Sequence, residues 1–126
     1  MRKLGVAVIG TGFWGKNHAR AYSELESTDL IAICDMNAER AESVSRQFGV
    51  KGYTDSTQML RDKQIEVVSV CTWSTILAKE ALKVLQAGKH VLVEKPMAAS
   101  TGQAEKLVKT AEDNGLHLTV GFLMRF

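Results

Sequence analysis

The sequence predicts a doubly wound α/β protein, in which helices cover both faces of a mostly parallel six-stranded sheet. Short, β-branched apolar runs alternate with helix-like segments along all 126 residues. The apolar runs are continuous rather than alternating, which indicates strands that are buried on both faces, as in parallel sheets. Each strand–helix–strand unit is then expected to make a right-handed crossover to a parallel neighbour.

Eleven elements are predicted, and residues with known end preferences mark several of them. Asn37 and Asp55 can cap the N-termini of the second and third helices. Gly49 and Gly115 lie where glycine commonly ends a helix. In chain order, the predicted elements are strand 4–10, helix 14–25, strand 30–35, helix 38–48, strand 52–54, helix 56–61, strand 66–72, helix 75–88, strand 90–94, helix 100–114 and strand 116–122.

The composition is that of an ordinary globular domain, with 45% hydrophobic and 24% charged residues and a net charge of +2. The mixed charges predict neither a nucleic-acid partner nor a membrane surface. The apolar runs are shorter than a membrane span and no signal-peptide core is present, so we expect a cytoplasmic location. Cys34 and Cys71 lie in apolar runs and are expected to be buried free thiols.

Three glycines spaced G-x-G-x-x-G join the first strand to the first helix. Gly10 permits the tight turn, Gly12 lets backbone amides approach a diphosphate, and Gly15 lets the helix pack closely on the strand. The helix N-terminus adds unpaired N–H groups and a partial positive charge. Because the motif follows a strand and opens a helix, it predicts a dinucleotide site; the alternative is that the glycines serve only a turn.

An acidic residue, Asp35, ends the second strand, about twenty residues after Gly15. Its carboxylate can accept hydrogen bonds from the adenosine ribose hydroxyls and would repel a 2′-phosphate. NAD is therefore favoured over NADP, although Arg40, about one helical turn further on, can reach a phosphate. The alternative for Asp35 is an ordinary turn residue at the end of a strand.

A second motif, GKHVLVEKPMA at residues 88–98, places Glu94, Lys95 and Pro96 at the end of the fifth strand. That edge of an open α/β sheet is where ligands bind. Together with GTGFWGKNHARAY, CDMNAERA, VSVCT and VGFLMRF, the motif resembles the N-terminal domain of the Gfo/Idh/MocA family of nicotinamide-dependent oxidoreductases. The resemblance covers essentially the whole chain and implies that residues 1–126 form one Rossmann domain that binds NAD, with NADP as the alternative.

The resemblance also implies a catalytic role for Lys95. In the family, the lysine of the E-K-P motif lies beside the nicotinamide, so Lys95 would orient the substrate oxygen and assist proton transfer; the alternative is a solvated lysine. A partly desolvated ammonium has a lowered pKa and can polarise a carbonyl. Pro96 would hold the bend after the strand, and Glu94 would brace the loop. The residues expected to bind the cofactor are Gly10, Thr11, Gly12, Phe13, Trp14, Gly15, Asp35, Met36, Arg40, Thr72, Trp73, Glu94, Lys95 and Pro96.

Two features depart from the family pattern. Family members continue into a second α/β domain that supplies most of the substrate pocket, whereas this chain ends at Phe126, so we expect a cofactor domain with little or no turnover. The loop after the fourth strand usually reads T-P-x-x-x-H, but here Trp73 replaces the proline and Leu77 the histidine. Together with Ile76, these two residues can form an exposed apolar contact patch.

The remaining candidate residues have plainer interpretations. His18, on the first helix, is expected to pack or form a hydrogen bond within the domain rather than to react. His90 and His117 lie at strand starts without partners at metal-ligand spacing and are expected to be structural, so no metal site is predicted. Cys71 lies near the carboxyl edge of the sheet, but without an identifiable base we expect a buried thiol rather than a nucleophile.

The sequence therefore predicts the NAD(P)-binding domain of a dehydrogenase. This enzyme would transfer hydride between nicotinamide and an alcohol or keto carbon of a sugar, cyclitol or nucleotide sugar. The alternative is a non-catalytic or engineered interaction module with an apolar patch around Trp73, and a methyltransferase that uses S-adenosylmethionine is a weaker third hypothesis. The expected partners are a nicotinamide dinucleotide and a sugar-type substrate, without nucleic acid or membrane, and homo-oligomerisation remains open.

Overall fold

The computed structural model of the chain describes residues 2–93 and 101–120. Parallel strands alternate with helices along these residues, in the order that the sequence predicts. The strands are β1 (Leu4–Ile9), β2 (Thr28–Cys34), β3 (Lys51–Tyr53), β4 (Val67–Val70), β5 (His90–Val93) and β6 (Leu118–Val120). The helices are α1 (Phe13–Glu24), α2 (Ala38–Phe48), α3 (Ser56–Met59), α4 (Ser74–Gln86) and α5 (Thr101–Asp113).

The six strands form one sheet in the order β3-β2-β1-β4-β5-β6, and every adjacent pair is parallel. The chain winds outward from β1 through β2 to β3, then returns to the other side of β1 and winds outward again through β4, β5 and β6. The predicted doubly wound Rossmann fold is thus confirmed. The order reverses between β1 and β4, and ligands of such sheets bind at the carboxyl ends of the strands beside that point.

The core lies on both faces of the sheet, with β1 at its centre. Ala7 and Ile9 belong to one hydrophobic cluster, while Val6 and Val8 belong to the other, as the two-residue period of a strand requires. All four side chains are at most 3% exposed, because helices cover both faces. This double burial explains why the strand is continuously apolar.

The predicted helix ends are largely confirmed. The Asn37 side chain accepts a hydrogen bond from the Arg40 backbone N–H at 3.0 Å, and the Asp55 side chain accepts one from Thr57 at 2.9 Å. Gly49 ends α2 in the left-handed conformation, with φ of 66°. Helix α3 ends at Met59 rather than at residue 61, since the following residues continue as a turn.

The predicted apolar patch after β4 is wrong in part. Trp73 is 78% exposed, but Leu77 is 1% exposed and lies in the core, and Ile76 is partly buried. Leu77 belongs to the inward stripe of α4 with Ala81 and Leu85, at the spacing of four residues that places side chains on one helix face. Of the three residues of the predicted patch, Trp73 is therefore exposed, Ile76 is partly buried and Leu77 belongs to the core.

Among the residues that the structure describes, no helix is both long enough and apolar enough to cross a bilayer. The predicted extensions of β5 to residue 94 and of β6 to residues 121–122 lie outside the described residues.

Candidate functional site

A cleft of about 480 Å³ opens at the carboxyl edge of the sheet, beside the point where the strand order reverses. Its volume is in the range of small-molecule sites. Most of the predicted cofactor residues that the structure describes contribute to its wall. These residues are Gly10, Thr11, Gly12, Phe13, Trp14, Asp35, Met36, Arg40, Thr72 and Trp73.

The three glycines of the loop have different steric roles. Gly10 has a φ of 90°, and a Cβ there would lie 2.8 Å from the carbonyl oxygen of Cys71. A Cβ on Gly15 would lie 1.7 Å from the Gly10 carbonyl oxygen, so close packing of α1 on the loop requires glycine. The position of a Cβ on Gly12 is open, with the Arg40 guanidinium as the neighbour, 3.8 Å away. The fold itself therefore requires Gly10 and Gly15, whereas Gly12 leaves free space that faces the cleft.

The N-terminus of α1 begins at this free space. Its N-cap residue is Gly12, so no side chain caps the helix, and its first turn contains no acidic residue. The first N–H groups of a helix have no partner within the helix and carry a partial positive charge. Phe13 and Trp14 are 73% and 42% exposed, and their rings meet edge to face with centroids 5.1 Å apart. The start of α1 is therefore suited to a negatively charged group.

Asp35 connects the end of β2 to the glycine loop. Its Oδ2 accepts hydrogen bonds from the backbone N–H of Thr11 at 2.9 Å and from the Thr11 hydroxyl at 2.8 Å. Its Oδ1 accepts the backbone N–H of Asn37 at 2.9 Å. Burial would raise the pKa of this carboxyl, but the bonds from Asn37 and Thr11, with the charge of Arg40, outweigh it and lower the pKa. The sequence predicted the functional importance of Asp35 but not its hydrogen bonds to Thr11, which hold the glycine loop in place.

Arg40 lies at the mouth of the cleft, between this carboxylate and the glycine loop. Its Nη1 is 3.5 Å from Asp35 Oδ2, and its side chain is 46% exposed. Because a guanidinium has five N–H donors in a planar fork, this single ion pair leaves donors for an anion in the cleft.

The loop after β4 forms the opposite wall. Trp73 occupies the N-cap position of α4, and its indole is exposed beside the cleft. Cys71 is only partly buried and also lines the cleft, so the expected burial of this thiol is wrong. The reason is that β4 ends at Val70 and the chain turns towards α4. Cys34 is 2% exposed, as expected, and burial together with nearby carboxylates raises its pKa to about 12.

One part of the wall was not anticipated from the sequence. Beyond Asp35, the cleft is lined by Ser56 at the start of α3 and by Glu80 and Lys83 of α4. The Ser56 hydroxyl donates to Glu80 Oε1 at 2.6 Å, and Lys83 Nζ donates to Ser56 Oγ at 2.6 Å. The i, i+3 spacing of Glu80 and Lys83 was a visible signal for their ion pair, whereas the contact with Ser56 spans 24 residues and left none.

The three histidines of the chain lie at positions where they contribute to the structure of the domain. His18 is 3% exposed on the buried side of α1, with its ring edge-on to Tyr22. His90 Nδ1 accepts the backbone N–H of His117 at 3.0 Å, which joins the starts of two neighbouring strands. In the described ranges, no group of three or more metal-binding side chains comes together.

Glu94, Lys95 and Pro96 lie outside the described residues. The catalytic role of Lys95 and the cofactor contacts of this motif therefore remain predictions. Gly15 lies within the described residues, next to the cleft, and acts through the packing of α1 on the loop.

The parallel doubly wound sheet and the open glycine loop define a dinucleotide-binding Rossmann domain. The chain belongs to the Gfo/Idh/MocA oxidoreductase family, whose model is described as an NAD-binding Rossmann fold and matches residues 4–122. The predicted family and cofactor class are thereby confirmed.

Individual relatives resemble this chain over nearly its whole length. It is 32% identical to 4-carboxy-2-hydroxymuconate-6-semialdehyde dehydrogenase of Sphingobium sp. strain SYK-6 over 124 residues, 98% of this chain and 39% of the relative. It is 28% identical to inositol 2-dehydrogenase of Salmonella typhimurium over an alignment of 127 positions, which covers 98% of this chain and 38% of the relative. The chain thus spans less than half of the length of these curated relatives.

Solved structures agree with the assignment. GenD2 from gentamicin A biosynthesis, in complex with NAD, has a TM-score of 0.93 and 34% identity over 96% of this chain and 35% of its own. The 3-ketoreductase KijD10 from Actinomadura kijaniata, in complex with NADP, has a TM-score of 0.90 and 29% identity, covering 96% of this chain and 39% of its own. This fold therefore accommodates either dinucleotide.

Proposed function

We propose that this chain is the cofactor-binding domain of an NAD(P)-dependent dehydrogenase that acts on an alcohol or keto carbon of a sugar-type substrate. One observation carries the proposal: Gly12 leaves free space in front of the uncapped N-terminus of α1, although the fold does not require glycine there. A missing side chain beside a helix N-terminus is what a bound diphosphate needs.

The other residues of the cleft fit the remainder of a dinucleotide. The diphosphate would lie against the N–H groups at the start of α1, and the adenosine ribose would lie beside Asp35. Each carboxylate oxygen can accept more than one hydrogen bond, and Asp35 Oδ1 accepts one from Asn37, which leaves capacity for a ribose hydroxyl. Thr72 and Trp73 would lie on the nicotinamide side of the cleft.

When bound, the nicotinamide supplies or accepts the hydride, and the protein provides orientation and charge. Lys95 is proposed to contact the reacting oxygen of the substrate and to assist proton transfer there, as the E-K-P motif of the family implies. Glu94 and Pro96 are proposed to hold that lysine in position. These roles rest on the family motif.

The substrate class rests on relatives, several of which are named for sugars or cyclitols, including the inositol dehydrogenases and a D-apiose dehydrogenase of Paraburkholderia graminis. A chain that spans 38% of such a relative is proposed to bind cofactor with little or no turnover. The cleft described above would hold the cofactor, whereas turnover also needs a closed pocket that excludes water and positions a hydride acceptor. The alternative interaction module is not favoured, since Leu77 is buried.

Titration with NADH tests the proposal, with energy transfer from Trp14 and Trp73 at the cleft as the signal. Gly12→Val should weaken NADH binding by at least about tenfold, which corresponds to about 1.4 kcal/mol. Because its Cβ has room, the variant should stay folded, with a thermal midpoint only slightly below that of the parent chain, since valine is a poorer N-cap residue than glycine. Ala38→Val, at the exposed first residue of α2, is the matched control and should bind like the parent. Absence of NADH and NADPH binding at millimolar concentration would contradict the proposal.

A further inference from the structure

The three polar residues beyond Asp35 form a closed hydrogen-bonded cluster, here called the Ser56 cluster and composed of Ser56, Glu80 and Lys83. The Ser56 hydroxyl donates to Glu80 and accepts from Lys83, both at 2.6 Å, and Lys83 Nζ lies 3.3 Å from Glu80 Oε2. Ser56 is 4% exposed, and the side chains of Glu80 and Lys83 are 15% and 30% exposed. The cluster therefore holds the Glu80 carboxylate in one orientation within the wall of the cleft.

The held carboxylate retains the capacity to bind a ligand. Its Oε1 accepts from Ser56 and its Oε2 from Lys83, and each carboxylate oxygen can accept a second hydrogen bond. The Ser56 hydroxyl, by contrast, has its proton committed to Glu80. Because Glu80 lines the cleft, a ligand that donates an N–H there would be recognised.

The Ser56 cluster lies on the β3 side of the cleft, because Ser56 follows β3 and is hydrogen-bonded there to Glu80 and Lys83 of α4. The glycine loop follows β1, Asp35 follows β2 and Thr54 follows β3, and these three strands lie side by side in the sheet. Neighbouring strands are about 4.8 Å apart, so the cleft runs outward in steps that match a diphosphate, a ribose and a base. The end of the cleft beside Thr54 and Ser56 is the part that remains for the base.

We propose that Glu80 reads the adenine base by accepting a hydrogen bond from its exocyclic 6-amino group, and that Ser56 and Lys83 are positioning residues that hold Glu80. This inference rests on the proposed function, because it requires a dinucleotide in the cleft. A 6-oxopurine places an oxygen where adenine has its amino group. That oxygen would face the carboxylate oxygens without a proton between them, so the site selects adenine over 6-oxopurines.

The test compares NADH with reduced nicotinamide hypoxanthine dinucleotide, which differs in having the 6-oxo group. The parent chain should bind NADH at least about tenfold more tightly, because the 6-oxo oxygen would face the carboxylate oxygens of Glu80 as a second acceptor with no proton between them. Glu80→Gln should bring the two dissociation constants to within about threefold of each other. A glutamine amide can accept from the 6-amino group of adenine or donate to the 6-oxo group of hypoxanthine. Ser56→Ala should reduce the difference between the two dissociation constants only in part, because the Glu80 carboxylate loses one of the two hydrogen bonds that hold it.

Glu112→Gln, an exposed change on α5 that is distant from the cleft, is the matched control and should keep the ratio of the parent chain. Equal binding of the two dinucleotides by the parent would overturn the inference without any variant. An unchanged ratio in a folded Glu80→Gln protein would also overturn it, while the proposed function would stand. If neither dinucleotide binds the parent, the proposed function fails and this inference fails with it.

Discussion

The carboxylate of Asp35 accepts two hydrogen bonds from Thr11, one from its backbone N–H at 2.9 Å and one from its hydroxyl at 2.8 Å. The two residues are 24 positions apart, and both are buried, with Thr11 at 0% and Asp35 at 8% exposure. The end of β2 thus fixes the conformation of the loop that follows β1. A loop held in this way loses less conformational entropy when it binds a ligand.

Thr11→Val tests this bracing, because valine keeps the shape of the side chain and removes the hydroxyl. The loss of one hydrogen bond to a buried charge should lower the free energy of unfolding by about 1.5–3 kcal/mol, measured by urea denaturation. NADH binding should weaken as well, since the loop becomes more mobile. Thr110→Val, whose hydroxyl is on the exposed side of α5, is the control. Equal stability of Thr11→Val and the parent would contradict the bracing role.

The lowered pKa of Asp35 predicts a loss of stability in acid. Since the folded-state pKa is below the unfolded value, the stabilisation is complete above the unfolded pKa of about 3.9 and is lost as the pH falls through the folded value. Urea unfolding followed from about pH 6 to pH 3 should therefore show a decline that Asp35→Asn reduces. Asp113→Asn, an exposed change at the end of α5, should keep the parent profile. An identical pH profile for Asp35→Asn and the parent would count against this assignment.

Arg40 is expected to decide how well the cleft tolerates NADP. The parent chain should bind NADH more tightly than NADPH, because an ionised Asp35 would repel the 2′-phosphate of NADPH. Arg40→Gln removes the positive charge 3.5 Å from that carboxylate, so NADPH binding should weaken at least about tenfold more than NADH binding. Parallel titrations of both cofactors measure the two ratios, with Arg46→Gln on the exposed side of α2 as the control. Equal weakening of both cofactors would show that Arg40 does not contact a 2′-phosphate.

Trp73 is expected to tolerate the proline that the family pattern has at this position. Its backbone φ of −60° is close to the value that proline imposes, and it precedes the first turn of α4. Trp73→Pro should keep or raise the thermal midpoint by reducing the entropy of the unfolded chain. Sedimentation should give the same mass for both proteins, because Leu77 is buried and the predicted contact patch around Trp73 is therefore incomplete. A lower mass for Trp73→Pro would indicate that the indole is part of a contact between copies of the chain.

Local signals in the sequence were sufficient for the fold and for the ligand edge of the sheet. The runs that became β1 and β2 are continuously apolar because both faces are covered, and Asn37 and Asp55 cap helices as their side-chain chemistry favours. The burial of Leu77 was also readable, from its four-residue spacing to Ala81 and Leu85. The family motif T-P-x-x-x-H, which places Leu77 in the loop after the fourth strand, instead led to the prediction that Leu77 is exposed.

Contacts between distant segments could not be predicted in the same way. The pairing of Thr11 with Asp35, and of Ser56 with Glu80, depends on which strand ends lie side by side. Neither pairing has a periodicity or spacing that marks it in the sequence. The sequence also does not distinguish the three glycines of the motif. Only the structure shows that packing requires Gly10 and Gly15, whereas Gly12 leaves free space in the cleft.

The central claim is that a dinucleotide diphosphate lies against the start of α1. Two-dimensional ¹⁵N–¹H NMR of the labelled chain during NADH addition tests this claim most directly. The largest and earliest shifts are expected at the backbone amides of Gly12, Phe13 and Trp14, with smaller shifts at Asp35. Shifts that are largest elsewhere, such as on α5, or unchanged amides at millimolar NADH would contradict it.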